Sequence, residues 1–177
     1  MAIATLLSPF EEKVNTTGRT NYAGNIRVFS TAGERAQVGM AAPLEGKMEN
    51  QLALQRIMDG TSNTAMFATR FGECGSPAVP TLFDGIRPNE PGSPFFGAGT
   101  HSISADNVAA ADRTFQLMPT VATCQPNASI YGHAFIRQGL AVAVCDGSVR
   151  MITPNVTPLN YQRFLCPSDG FPVDLGD

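Results

Sequence analysis

Residues 139–152 read Gly-Leu-Ala-Val-Ala-Val-Cys-Asp-Gly-Ser-Val-Arg-Met-Ile, two apolar runs joined at Asp146-Gly147. Gly reaches positive φ freely and Asp tolerates it, so Asp-Gly between apolar segments predicts a β-hairpin closed by a tight primed turn. Strands are expected at residues 140–145 and 148–153, with Val142, Val144, Val149 and Met151 among the residues they bury. A lone hairpin is marginal in water, so the remaining chain must supply further strands and a covering layer.

The chain has 177 residues, enough for one domain with its own core and no need of metal or disulfide staples. Its 43% apolar content argues against disorder, while a charged share of 15% is well below the usual quarter and leaves a surface suited to association. Net charge is -3 and the basic residues are scattered, so the electrostatic footprint of a nucleic-acid binder is missing. No window approaches the roughly 18 apolar residues of a membrane span. Abundant Gly, Pro, Ser, Thr and Asn predict many turns and a sheet-dominated α+β fold with long loops.

Residues 2–14 read as a short helix broken at Ser8-Pro9, so residues 1–19 form a helix remnant or an extended arm. Residues 21–29 carry strand formers around Gly24, and residues 30–47 lack any period and read as a surface loop. Met48, Leu52, Leu54, Ile57 and Met58 follow helical spacing, and Asp59-Gly60 stops that run. Residues 64–71 read as a buried strand. Residues 72–113, with Pro77, Pro80, Pro88, Pro91 and Pro94, form an elaborated loop region anchored by Phe95-Phe96. A short strand at residues 114–118 and a helical turn at residues 158–165 precede Cys166-Pro167-Ser168-Asp169-Gly170, which ends regular structure. All of this fits a single domain, 1–177.

Cys74, Cys124, Cys145 and Cys166 stand apart without a Cys-x-x-Cys pair, so neither a zinc ribbon nor a thioredoxin-like motif fits. Cys145 lies within an apolar strand and reads as a buried thiol, whereas Cys124, in a polar loop, is the better candidate for a bridge. The three possible pairings stay open. No Gly-x-Ser-x-Gly elbow or phosphate-binding Gly-rich loop is present, and His101 and His133 are too far apart in sequence for a His-Glu-x-x-His motif. The chain is not expected to be an enzyme. His133 reads as a hydrogen-bonding residue at a loop or strand end rather than as a ligand or base. Asp59 and Asp146, each followed by Gly, read as turn formers whose side chains bond amides two residues on, and Thr61, Ser62 and Asn63 as a local capping network.

The order Thr20-Asn21-Tyr22-Ala23-Gly24-Asn25, then Asp59-Gly60-Thr61-Ser62-Asn63-Thr64, then His133 ahead of Asp146-Gly147-Ser148, resembles the DUF1559 family. These are pilin-like proteins abundant in planctomycetes, with a C-terminal His-x9-Asp-Gly element associated with prepilin processing. The resemblance runs from about Asn21 to the terminus. Two departures accompany it: twelve residues rather than nine separate His133 from Asp146, and neither the basic prepilin leader nor the long apolar helix is seen.

The resemblance implies a pilin-like head domain with a structural or assembly role, a homo-oligomer or filament, at the cell surface, in the periplasm or outside the cell. No cofactor is expected. A structural calcium is the one ion it leaves room for, with Asp169, Asp174 and Asp177 as the acids at hand. The alternative is an extracellular solute- or glycan-binding module, with residues 72–113 as a pocket wall and Phe83, Phe95, Phe96 and Tyr131 as stacking candidates.

Overall fold

The structure, a computed structural model, describes residues 20–29, 54–75, 79–80, 95–97, 114–124 and 132–175. The arm at residues 1–19, the loop at residues 30–47 and most of the loop region at residues 72–113 lie outside the described residues. The fold is α+β. Its centre is a five-stranded sheet in the order β5(Phe95–Phe96), β1(Tyr22–Asn25), β2(Ala65–Thr69), β8(Leu140–Val144) and β9(Val149–Ile152). The four strands from β1 to β9 pair antiparallel, and β5 joins β1 in parallel. Two small ladders complete it: β3(Glu73–Cys74) with β4(Val79–Pro80), and β6(Gln116–Leu117) with β7(His133–Ala134).

Residues 21–29, read as one extended segment, divide into β1 and a single helical turn, α1(Ile26–Phe29). Where a helix was expected before Asp59, the described residues hold only a 3-10 turn, Leu54–Arg56. The strand expected at residues 64–71 is β2, and Phe96 is fully buried beside β1, as an anchor should be. The segment at residues 158–165 is a full helix, α2(Pro158–Leu165). Thr157 caps it by accepting the Asn160 amide at 3.3 Å, and Pro158, lacking an N–H, occupies a first-turn position where that group would have no helical partner.

Tyr161, Phe164 and Leu165 of α2, spaced to share one helix face, pack on the inner face of the sheet with Phe96 and Phe115. That face is lined by Ala23, Ala65, Ala68, Leu140, Val142, Val144 and Ile152. The alanines let the large helix side chains approach the backbone closely.

The hairpin forms where expected, but its turn is not the two-residue primed type. The Val144 amide donates to the Ser148 carbonyl at 2.8 Å and the Gly147 amide to the Val144 carbonyl at 2.9 Å, so the loop is Cys145-Asp146-Gly147. Only Gly147 takes positive φ, at 87°. A two-residue turn would set Val144 opposite Val149; the additional loop residue sets Ala143 opposite Val149 and Leu140 opposite Ile152. A one-residue change of register exchanges the faces of a strand. Val142 and Val144 are accordingly buried, while Val149 and Met151 are 73% and 39% exposed and Ile152 takes the inner position.

A buried polar knot ties the layers together. The Asn25 amide donates to the carbonyls of Ala65 and Leu165, both at 2.8 Å, and its oxygen accepts the Arg27 amide at 3.1 Å. The enclosed Arg27 guanidinium donates to the Gly97 carbonyl at 3.0 Å, to Gln162 Oε1 at 3.3 Å and to Cys166 Sγ. Burial pushes the Cys166 thiol up to about 11 despite the pull of that guanidinium, so the sulfur meets it as a neutral acceptor. Cys145 is also a buried free thiol, as expected.

Asn25→Ala strands two buried carbonyls, each worth ~1–3 kcal/mol when left unpaired. We expect a loss of about 3 kcal/mol, roughly 6–12 °C in Tm, by calorimetry; a variant melting with the parent would sink this account of the knot. Gly139, at φ 138°, has the Ile152 carbonyl oxygen in the space a Cβ would need. Gly→Ala stabilises by about 0.4–1 kcal/mol where the backbone is compatible, but Gly139→Ala should instead cost more than ~1 kcal/mol, measured by urea unfolding.

Candidate functional site

The residues singled out by sequence occupy three separate places. Asp59, Gly60, Thr61, Ser62 and Asn63 lie on the turn entering β2, with Thr61–Asn63 a 3-10 turn and Gly60 at φ 92°. Part of the capping is local: the Asn63 amide donates to the Asp59 carbonyl at 3.2 Å and the Thr64 hydroxyl to the Gly60 carbonyl at 3.2 Å. The Asp59 carboxylate does something else. Instead of bonding an amide two residues on, it accepts the amides of Asp169 at 2.7 Å and Gly170 at 2.8 Å, and the Asp59 amide donates to the Pro167 carbonyl at 3.2 Å. This turn is a clamp on the loop that follows α2.

Asp169 accepts the Phe171 amide at 2.9 Å and abuts the Asp59 carboxyl group. Partial burial, then the neighbouring Asp59 charge, push its carboxyl up to about 6. Of the acids considered for calcium, Asp169 is thus a member of a carboxyl pair, Asp174 is exposed, and Asp177 lies outside the described residues.

Asp146, Gly147 and Ser148 form the exposed end of the hairpin. Asp146 Oδ1 accepts the Ser148 amide at 2.8 Å and the Ser148 hydroxyl at 2.6 Å, and these bonds hold its carboxyl below the ordinary value. Here the side chain stabilises its own turn, as expected of Asp before Gly.

His133 is at the other end of the sheet. Thr69, the last residue of β2, donates its hydroxyl to the His133 carbonyl at 2.9 Å, whereas Thr64, just before β2, accepts the Cys145 amide at 3.0 Å. The five residues of β2 separate the two, ~17 Å at the usual strand rise, so His133 and Asp146 do not form a pair. His133 is fully buried, with Nδ1 accepting the Phe71 amide at 3.0 Å and the Phe71 ring centroid 5.7 Å away. Burial, then the charge of the buried Arg70, lower its pKa to about 3, so the imidazole is neutral.

Cys74 and Cys124 are joined in a disulfide, bearing out the expectation for Cys124. Cys74 lies on β3, and Cys124 ends a turn in which its amide donates to the Thr120 carbonyl at 2.8 Å. The Gly75 amide, bonded to the Val121 carbonyl at 2.7 Å, draws these segments together. Both sulfurs and a ring nitrogen of His133 lie within 4.8 Å of one another. Sequence reasoning missed this grouping, and also the buried Arg27 and Arg70.

The sheet's outer face is the remaining feature. Phe67, Ala141, Ala143, Val149 and Met151 line a groove of about 400 Å3, with Tyr22 and Thr69 supplying hydroxyl-bearing side chains and no ionisable acid or base besides the Tyr22 phenol in the described wall. Among the stacking candidates, Phe96 is enclosed in the core, while Phe83 and Tyr131 lie outside the described residues. Among the described residues no helix is long and apolar enough to cross a membrane. The chain matches no known family profile, no curated protein and no solved structure.

Two groups give opposite pH signatures. His133 binds its proton in the unfolded chain near pH 6.5 but in the fold only near pH 3, so its contribution is complete above about pH 6.5 and declines as pH falls, by at most ~1.4 kcal/mol per pH unit. His133→Gln should flatten the slope of unfolding free energy between pH 6.5 and 4.5, and an unchanged slope would refute the assignment. Asp169, raised in the fold, is favoured by protonation, so the clamp gains as pH falls through about 6. Asp169→Asn mimics the protonated form and, allowing for solvent screening of a half-exposed group, should add about 1 kcal/mol at pH 8, about half of that at pH 5 and nothing below the ordinary carboxyl value of 3.8, by denaturant titration.

Proposed function

We propose that this chain is the head domain of a structural, pilin-like protein that acts by self-association at the cell surface or outside the cell, as its resemblance to the DUF1559 family implies. The observation that carries the reading is the exposed apolar outer face ending at β9. Exposed apolar surface rimmed by polar residues marks association sites. The edge supports it further. With Val144 bonded to Ser148, the alternation of an antiparallel ladder turns the backbone groups of Val149 and Met151 away from β8, toward the side of β9 on which no described strand pairs.

The occupant that fits is a second copy of the chain. A face whose described lining carries no charged side chain gives an acidic or basic partner little to recognise, and identical apolar patches meeting across a two-fold axis do not repel each other. A small polar ligand would need several convergent hydrogen-bonding groups, whereas of the two hydroxyl-bearing side chains in the described wall Thr69 already donates to the His133 carbonyl, which leaves Tyr22. The disulfide favours an oxidising compartment.

Sedimentation velocity across a concentration series tests the reading. The parent chain should associate, and Val149→Lys with Met151→Lys should shift it to monomer with a Tm within about 2 °C, since both positions are exposed. A parent that stays monomeric throughout, or a double variant that associates as the parent does, overturns it; a strict monomer whose Tm rises with an oligosaccharide supports the binding-module alternative instead.

A further inference from the structure

We propose that Cys74, Cys124 and His133 become a metal site when the disulfide is reduced, taking a thiophilic divalent cation of the zinc type on two thiolates and one imidazole. The sulfurs and the ring nitrogen already lie within 4.8 Å of one another on three buried residues. Two sulfurs and one nitrogen suit zinc, and three protein ligands leave the fourth tetrahedral position for water or an outside ligand. A dithiolate with a divalent cation is a neutral core, so the buried Arg70 charge beside His133 does not oppose it.

The reaction balances with a low-molecular-weight thiol as reductant. Two thiol molecules reduce the Cys74–Cys124 bond, giving two cysteine thiols and one external disulfide. The cation then displaces both thiol protons to solvent.

The imidazole must change its bonding when metal enters. Its Nδ1 now accepts the Phe71 amide, which places the ring proton on Nε2, an enclosed atom with no hydrogen-bond partner among the described residues. A neutral metal-bound ring gives one lone pair to the metal and keeps its proton on the other nitrogen. If Nε2 binds metal, Nδ1 carries the proton and cannot accept; if Nδ1 binds metal, its lone pair is taken. Either way the Phe71 amide is released.

The test uses the full chain, oxidised and reduced, with Cys145→Ala and Cys166→Ser in place to remove the other thiols, the serine keeping an acceptor for Arg27, and zinc ion alone as the probe in competition with a chromophoric chelator. The reduced chain should take one zinc, the oxidised chain none. His133→Gln should weaken binding by more than about 100-fold, beyond the effect of losing an outer partner. Cobalt should give a sulfur-to-metal charge-transfer band that Cys124→Ser reduces, and zinc should accelerate hydrogen exchange at the Phe71 amide. A reduced chain that folds only with zinc also supports the site. A reduced chain that leaves zinc to the chelator, one that stays unfolded with zinc, or a folded His133→Gln variant that binds as the parent does overturns it.

Discussion

The side chain of Asn25 is the point on which the architecture turns. It sits at the end of β1, where three segments of the molecule turn backbone groups into the buried interior: the start of β2, the C-terminal end of α2 and the entry to α1. The last turn of a helix leaves carbonyls that its own backbone cannot satisfy, and one of them, on Leu165, is buried against the sheet. An amide with two donors and an acceptor answers these demands at one position. Arg27 extends the solution by spanning from the segment after β5 to α2 and Cys166. Apolar packing presses α2 onto the sheet, but this polar knot fixes where along the sheet it lies. Fully satisfied buried networks specify one arrangement, whereas partly satisfied ones cost stability.

How far the sequence spoke depended on the range of the interaction involved. The β8–β9 hairpin, the strand at β2 and a helical turn at residues 158–165 were legible because apolar runs and Asp146-Gly147 are local signals, while the Thr157-Pro158 start that makes that turn a full helix was passed over. The face of β9 was not. Val-Arg-Met-Ile alternates, and its apparent apolar pair, Val149 and Met151, turned outward because the loop has three residues instead of two. The bulk contrast along β8 carried the missing clue: Leu140, Val142 and Val144 are large and Ala141 and Ala143 small, so the inner face of β8 was set, and register alone decided which residues of β9 joined it.

The candidate site was less legible still, and for the same reason. Asp146 behaves as its neighbours in sequence suggest, bonding Ser148. Asp59, in an identical Asp-Gly context, spends its carboxylate on amides 110 and 111 residues away. Nothing in the dipeptide distinguishes these outcomes, since Asp146 ends an exposed hairpin while Asp59 faces another segment. His133 likewise carries no local sign of its surroundings. Its sulfur neighbours come from β3 and a distant turn, 50 residues apart in the chain, with no short Cys spacing to announce them.

The knot has a kinetic side. Asn25 and Leu165 are separated by 140 residues, and Asp59 and Gly170 by 111. Contacts of such separation demand loop closure before they give anything back, and chains dominated by them fold slowly. Synthesis is directional, so β1 leaves the ribosome before α2, and the bonds of Asn25 to Leu165 and of Arg27 to Gln162 and Cys166 wait for it. Until then Asn25 lacks its Leu165 partner and Arg27 its Gln162 and Cys166 partners, so the docking of α2 on a sheet that can already pair is the step that completes the interior.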